Sequence, residues 1–262
     1  MATDDAAIAL ARDYYDSAEA DDFYRTIWGG HPHSEPPYGR SHGGQGGLAL
    51  GKRVLDLGSG YGGAARLLAS EHGAHVTCLN LSAVENDRNR SLTREAGLED
   101  KIMVVDGSFD AVPFDNARFD LVWSQDAILH APDRNLVLDE VARVLKPRGE
   151  FIFTDPMQAD ALSDSEVLQP IYDRIHLPDL ASFAFYRTEL AGRGFEEVSV
   201  EDLTGHMRVH YGRISEELDA RRDELDAGDA FVDRMLAGLE HWVSGAEGGL
   251  LAWGILHFRK AA

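Results

Sequence analysis

A single cysteine, Cys78, stands among the 262 residues. No internal disulfide and no cysteine-rich zinc site can be built from it. It lies in an apolar run, which makes it a buried, inert thiol. Long apolar runs are missing as well: none approaches the roughly 18–20 residues that span a bilayer. There is no basic leader, since the first residues, MATDDAAIAL, are acidic. These absences point to a cytoplasmic chain. Basic residues are scarce: 25 Lys and Arg face 45 Asp and Glu, a net charge of −20. Such a field repels nucleic acid and anionic lipid, so neither nucleic acid nor membrane is expected as a partner. It suits an ordinary solubilising surface, or a protein adapted to high salt, where screening shortens self-repulsion.

What is present is an alternation of strand and helix patterns. Residues 1–27 read as an amphipathic helix with Ile8, Leu10, Ala11, Tyr14 and Tyr15 on one face. Residues 28–47 are rich in glycine and proline and read as a loop or linker. Strands are predicted at 52–58, 75–81, 102–107, 119–125 and 149–156, with helices at 64–73, 83–97 and 135–145 between them. Apolar strands alternating with helices mean a parallel sheet covered on both faces. After Pro156 come helices at 163–176, 182–193, 207–226 and 229–244 and strands at 195–203 and 250–260. The late strands close the sheet with an antiparallel hairpin edge. The fold class is therefore α/β: a Rossmann-like, doubly wound, mostly parallel sheet of seven strands. A helical arm and loop (1–50) precede the main domain (51–262), in which 156–250 supply the substrate-side helices.

The stretch DLGSGYGG (56–63) carries Gly58, Gly60 and Gly63 in the GxGxxG spacing of a nucleotide-binding turn. In a doubly wound sheet, ligands sit beyond the carboxyl ends of the strands, where this turn falls. Its neighbours bear on which nucleotide. Asp56, two residues before Gly58, suits a cationic ligand such as S-adenosylmethionine better than a pyrophosphate. Asn80 stands where an NAD site usually places an acid for the ribose, although an amide also binds ribose hydroxyls. VLKPRGEFIF (144–153), a helix ending in Leu-Lys-Pro-Arg-Gly before an apolar strand, is a habit of class I methyltransferases. Asp56, Gly58, Gly60 and Asn80 are the candidate cofactor residues.

FYRTIWGG (23–30), GSGYGGAARLL (58–68), CLNLS (78–82), WSQDAILHAPD (123–133), ARVLKPRG (142–149) and TDPM (154–157) are followed by QPIYDRIHLPDL (169–180), GLEHWVSG (238–245) and WGILHFRK (253–260). On these stretches the chain resembles the sarcosine/dimethylglycine N-methyltransferases, which make glycine betaine as an osmolyte. The resemblance spans nearly the whole chain, and its later motifs are narrower than the common methyltransferase core. It implies S-adenosylmethionine as methyl donor and S-adenosylhomocysteine as product. It adds Asn86, Ser108 and Phe109 around ribose and adenine, and Gln125 beside the methionine part. In the family, a longer stretch with a helix follows WGG. Here it is reduced to the glycine-rich 39–47: either the chain is trimmed there, or the site is more open than usual.

The implied acceptor is a small zwitterion, dimethylglycine or sarcosine. Its carboxylate calls for an arginine fork. Arg187 is the first candidate and Arg208 the second. The methylated nitrogen ends as a permanent cation, which aromatic faces suit: Tyr24, Trp28, Tyr186, Tyr211 and Trp242 are available. His130 is the candidate for positioning or deprotonating the amine, with Gln125 beside it. His31, His33, Glu35 and His42 read as histidines scattered in a loop, and no metal site is expected. A monomer or homodimer is expected. The alternatives are a methyltransferase of this fold on another small acceptor, an NAD-linked oxidoreductase, and an adenosyl-ligand binder without turnover.

Overall fold

The structure, a computed structural model, describes residues 2–28, 51–162 and 164–262. The histidine-bearing loop and the glycine-rich 39–47 therefore lie outside the described residues. Seven strands form one sheet in the order β3-β2-β1-β4-β5-β7-β6. They are β1 (Arg53–Leu57), β2 (His75–Asn80), β3 (Ile102–Asp106), β4 (Phe119–Gln125), β5 (Leu145–Gln158), β6 (Phe195–Asp202) and β7 (Leu251–Lys260). The first five run parallel, while β7 lies antiparallel between β5 and β6. The strand order reverses between β1 and β4, so a crevice opens at their carboxyl ends.

Period-two alternation sorts the strand residues onto two faces. From β1, Val54 enters the core beside α3 (Gly63–His72), with Leu68, Val76 and Trp123. Leu55 and Leu57 enter the opposite core with Phe151 and Phe153, beneath α5 (Arg134–Val144) and α7 (Phe183–Gly192). Asp56 shares the parity of Val54 and so is directed inward beneath the glycine turn. α4 (Ala83–Glu95) connects β2 to β3.

A third cluster caps the sheet. It joins α2 (Ala18–Phe23), α6 (Gln169–Ile175), α8 (Thr204–Ala220) and α9 (Asp229–Glu247) around Phe23, Ile171, Tyr211, Leu239 and Trp242. Two expected helices are divided. The N-terminal one stops as α1 (Ala2–Tyr15) and restarts as α2, because Ser17 caps the new helix by accepting from Ala20 N at 3.2 Å. The helix expected over 163–176 is a 3₁₀ turn, Ser165–Leu168, followed by α6, whose first turn contains Pro170. Leu10, assigned to the buried face, is 44% exposed.

Two aromatic residues assigned to the substrate are core residues instead. Trp242 is buried and stacks on Tyr211 at 5.0 Å, and Tyr211 is itself buried among α8 and α9. Alternating apolar positions on a long helix signal burial equally well whether the occupant is core or cage, which is why sequence could not separate them. Trp242→Ala is expected to cost about 3–5 kcal/mol, the range for deleting a large core aromatic. Denaturant unfolding with retained slope measures it, and a loss below about 1 kcal/mol would return Trp242 to a solvent-facing role.

Candidate active site

A cleft opens over the ends of β1, β2 and β4. Gly58, Gly60, Asn80, Ser108, Phe109, Gln125 and His130 line it, together with Tyr15, Glu85 and Asp126. Seven of the residues singled out from sequence thus meet at one place. Gly58 has φ +71°, and a side chain there would overlap Ala127 Cβ, so the β1 and β4 turns meet without room for one. Gly60 has φ +47° and open space before it. The backbone can therefore approach a ligand closely at the turn.

The Asn80 side of the cleft holds an acid that sequence reasoning missed. Asn80 Nδ2 donates to Glu85 Oε2 at 2.8 Å, and burial raises the Glu85 carboxyl to about 7. Ser82-x-x-Glu85 spells a capping box, and Ser82 Oγ does accept from Glu85 N at 3.1 Å. The Glu85 carboxylate, however, goes to Asn80, so the capping-box spacing alone does not reveal its place in the cleft.

Two cofactor assignments need correction. Asn86 is fully buried: its Nδ2 donates to Asn80 O at 3.0 Å and to Asp106 Oδ1 at 2.8 Å. It ties the ends of β2 and β3 and does not line the cleft. Asp56 is 3% exposed and lies beneath the turn rather than in it. Its Oδ2 is buried without a partner, and desolvation raises its carboxyl to about 7. Cys78, buried beside it, has its thiol pushed up to about 12, first by burial and then by Asp56.

His130 ends a 3₁₀ turn, Ile128–His130, after β4. Asp155 holds that turn: its Oδ1 accepts from Leu129 N at 3.0 Å and its Oδ2 from Tyr186 Oη at 2.6 Å. Arg134 grips the same residue from its other side, donating to Leu129 O at 3.2 Å and to Asp179 O at 2.6 Å, and it pairs with the Asp179 carboxylate. Tyr186 is fully buried and packs on Phe153, so it belongs to this clamp and not to a substrate cage. Burial raises Asp155 to about 7 and lowers His130 to about 4, the Arg134 charge adding to the latter.

The N-terminal arm covers the cleft. Tyr15 Oη lies 2.8 Å from His130 Nε2, and its ring is 5.5 Å from that of Tyr24. Asp16 accepts from Ser82 Oγ at 2.6 Å, and Asp21 accepts from Tyr61 Oη at 2.8 Å. Tyr24 thus meets the Tyr15 ring that contacts His130, while the Trp28 side chain lies outside the described residues. Asp126 was also missed. It has φ +47°, and its Oδ1 accepts from Thr154 Oγ1 at 2.7 Å and Trp253 Nε1 at 2.8 Å. A strained residue held by two donors is a mark of a functional site.

Both candidate arginines are elsewhere. Arg187 pairs with Glu197 at 2.9 Å, with side chains 46% and 40% exposed. Arg208 faces Glu247 at 3.9 Å, again in the open. Pairs of this kind contribute roughly 0–1 kcal/mol and bind solvent as readily as a ligand. Nothing in the residues flanking either Arg in sequence indicates its orientation.

A parallel sheet with its glycine turn at the switch point, and an acid beside Asn80, define a class I S-adenosylmethionine-dependent methyltransferase. The residues fit that cofactor: Gly60 leaves backbone room, Glu85 offers an acceptor for ribose hydroxyls, and the acidic wall suits a cation. A family model described as a methyltransferase domain matches residues 55–153. A sarcosine/dimethylglycine N-methyltransferase of Halorhodospira halochloris is 48% identical over 279 residues, covering 99% of this chain and all (100%) of that protein. A glycine/sarcosine/dimethylglycine N-methyltransferase of Actinopolyspora halophila is 48% identical over 97% of this chain, which spans 47% of that longer protein. A solved structure from Galdieria sulphuraria, described as a candidate sarcosine dimethylglycine methyltransferase, superposes with a TM-score of 0.79 at 42% identity, covering 82% of this chain and 80% of that one. The chain belongs to the sarcosine/dimethylglycine N-methyltransferase family. Among the described residues, no helix is long and apolar enough to cross a membrane.

The raised carboxyls make stability depend on pH with a definite sign. Asp56 has a folded value of about 7 against an ordinary 3.8. The folded state keeps a proton that the unfolded chain releases, so this contribution is complete below the unfolded value and is lost as pH rises through about 7. His130, depressed to about 4, acts in the opposite sense. Melting temperatures of the ligand-free protein and of Asp56→Asn, taken at pH of about 5 and 8 at fixed salt, separate the two. The difference between the proteins is expected to move in favour of Asp56→Asn at the higher pH, and a constant difference would mean that Asp56 is ionised throughout.

Proposed function

We propose that the protein methylates the nitrogen of dimethylglycine, and of sarcosine before it, giving glycine betaine. The observation that carries this is the Tyr15–His130 pair facing the cleft beside Gln125 and Asp126, in a chain of this family. S-adenosylmethionine, when bound, supplies an electrophilic methyl on a sulfonium. Gly58, Gly60, Asn80, Glu85, Ser108 and Phe109 are the residues we assign to holding it, with Gln125 at its methionine end. Methyl transfer needs the nucleophile held in line near 3 Å and water kept out. The arm carrying Tyr15 supports both needs.

The acceptor nitrogen attacks through its lone pair, so an ammonium must first lose its proton. A histidine held at about 4 by burial is a weak base. The Tyr15–His130 pair therefore positions the amine by contact, since the neutral dimethylglycine nitrogen has no N–H to donate, and the proton is shed mostly in solution. The carboxylate of Asp126 attracts the incoming cation.

Labelled methyl release across glycine, sarcosine, dimethylglycine and a phosphobase tests the assignment. Turnover of dimethylglycine is expected, and turnover of the phosphobase alone would replace it with another small acceptor. Activity should rise from pH 7 to about 9.5 as the amine deprotonates. His130→Ala should keep that rise and lower kcat on the order of 100-fold, with S-adenosylhomocysteine affinity by calorimetry little changed. An unaltered kcat would remove His130 from the reaction.

A further inference from the structure

With both surface arginines occupied, the acceptor's carboxylate lacks a partner, and the interior offers one. Arg174 stands on α6 and extends into the cluster that caps the sheet. A guanidinium taken from water needs acceptors for its donors. Arg174 finds few: Nη2 reaches Met235 Sδ at 3.4 Å, a weak acceptor, and Nε is buried with none. No carboxylate pairs with it among the described residues. In a chain with 45 acidic residues against 25 basic ones, an inward arginine left without an acid is informative.

The surroundings hold it in place. A side chain at Gly238 would overlap Arg174 Cδ and Nε, so α9 carries a mid-helix glycine, poor for helix stability, where the arginine stem lies. Met235 Sδ also receives Tyr14 Oη at 3.9 Å. The Tyr14 and Tyr15 rings are 5.0 Å apart, and Tyr15 meets His130. The Arg174 charge is felt at the phenols of Tyr15, Tyr24 and Tyr211. The guanidinium is thus linked to the Tyr15–His130 pair through Met235 and Tyr14. In an α-amino acid the carboxylate is a single carbon away from the nitrogen, so its anchor must lie near whatever holds the nitrogen.

We propose that Arg174 binds the carboxylate of the acceptor through the Nη end of its guanidinium and thereby selects amines that carry a carboxylate. This rests on the amino-acid reading above. Nε is packed against α9 at Gly238, so the two Nη groups are the pair that matches the oxygens of a carboxylate.

The test compares dimethylglycine with its neutral amide, N,N-dimethylglycinamide, on the wild type, Arg174→Gln and Arg174→Lys, with S-adenosylhomocysteine affinity measured by calorimetry. The kcat/KM ratio of acid to amide should fall on the order of 50-fold in Arg174→Gln, mostly through the KM of the acid, as for loss of a charged hydrogen-bond partner. Arg174→Lys, which keeps the charge but loses the fork, should fall between. S-adenosylhomocysteine affinity should stay within about twofold. An unchanged ratio, with acid and amide suffering alike, would make Arg174 a packing residue and overturn the proposal. If Arg174→Gln does not fold, Gly238→Ala displaces the guanidinium without removing it and should lower the same ratio; no change there overturns it as well. A wild type that methylates the amide or another amine but not dimethylglycine would overturn the amino-acid reading instead.

Discussion

The site depends on one buried carboxylate. Asp155 is fully buried at the end of β5, where an ionisable group persists only if its oxygens are used. One oxygen holds the backbone of Leu129 and the other holds the Tyr186 hydroxyl. Through these two bonds, strand β5, helix α7 and the turn bearing His130 become a single unit. Arg134 closes it from the other side and supplies the compensating charge. His130 is therefore placed by the core, and the arm then meets it through Tyr15.

Desolvation shapes the rest of the site. Asp56, Glu85 and Asp155 are all pushed up to about 7 by burial, and His130 is pushed down to about 4. Each shift favours the neutral form in the ligand-free protein. Of these carboxyls Glu85 lines the cleft, and a sulfonium or ammonium entering there favours its ionisation, since a nearby positive charge lowers a carboxyl. The same burial that weakens His130 as a base gives it a fixed orientation, which methyl transfer needs more than proton abstraction.

The N-terminal arm and the later helices act together. Asp16, Asp21 and Tyr15 tie the arm to α4, to the glycine turn and to His130. Phe23 and Ile27 join the arm to the cluster of α6, α8 and α9. Neither part has a complete apolar face alone, so the lid over the cleft and the wall on the acceptor side form as one packed layer. Arg174 and Gly238 belong to that layer.

The alternation of apolar strands and helices, the glycine turn and the antiparallel final strand were all legible in the sequence, because their signals are local: period-two and period-3.6 patterns and turn residues. So were the strand-end positions of Gly58, Gly60 and Asn80 along the cleft, while Ser108, Phe109 and Gln125 entered only through the family resemblance. The acceptor half was not. Tyr186 and Trp242 are indistinguishable by type from cage residues, yet packing turned them inward. Arg187 and Arg208 carry the right chemistry on the wrong side of their helices. Tyr15 and His130, and likewise Glu85 and Asn80, are partnered by contacts that no local pattern encodes. Sequence determined most of the backbone elements, their order and roughly where the strands end. Only the tertiary structure decided which side chains those ends share, because burial, charge compensation and close approach are properties of residues brought together from distant parts of the chain.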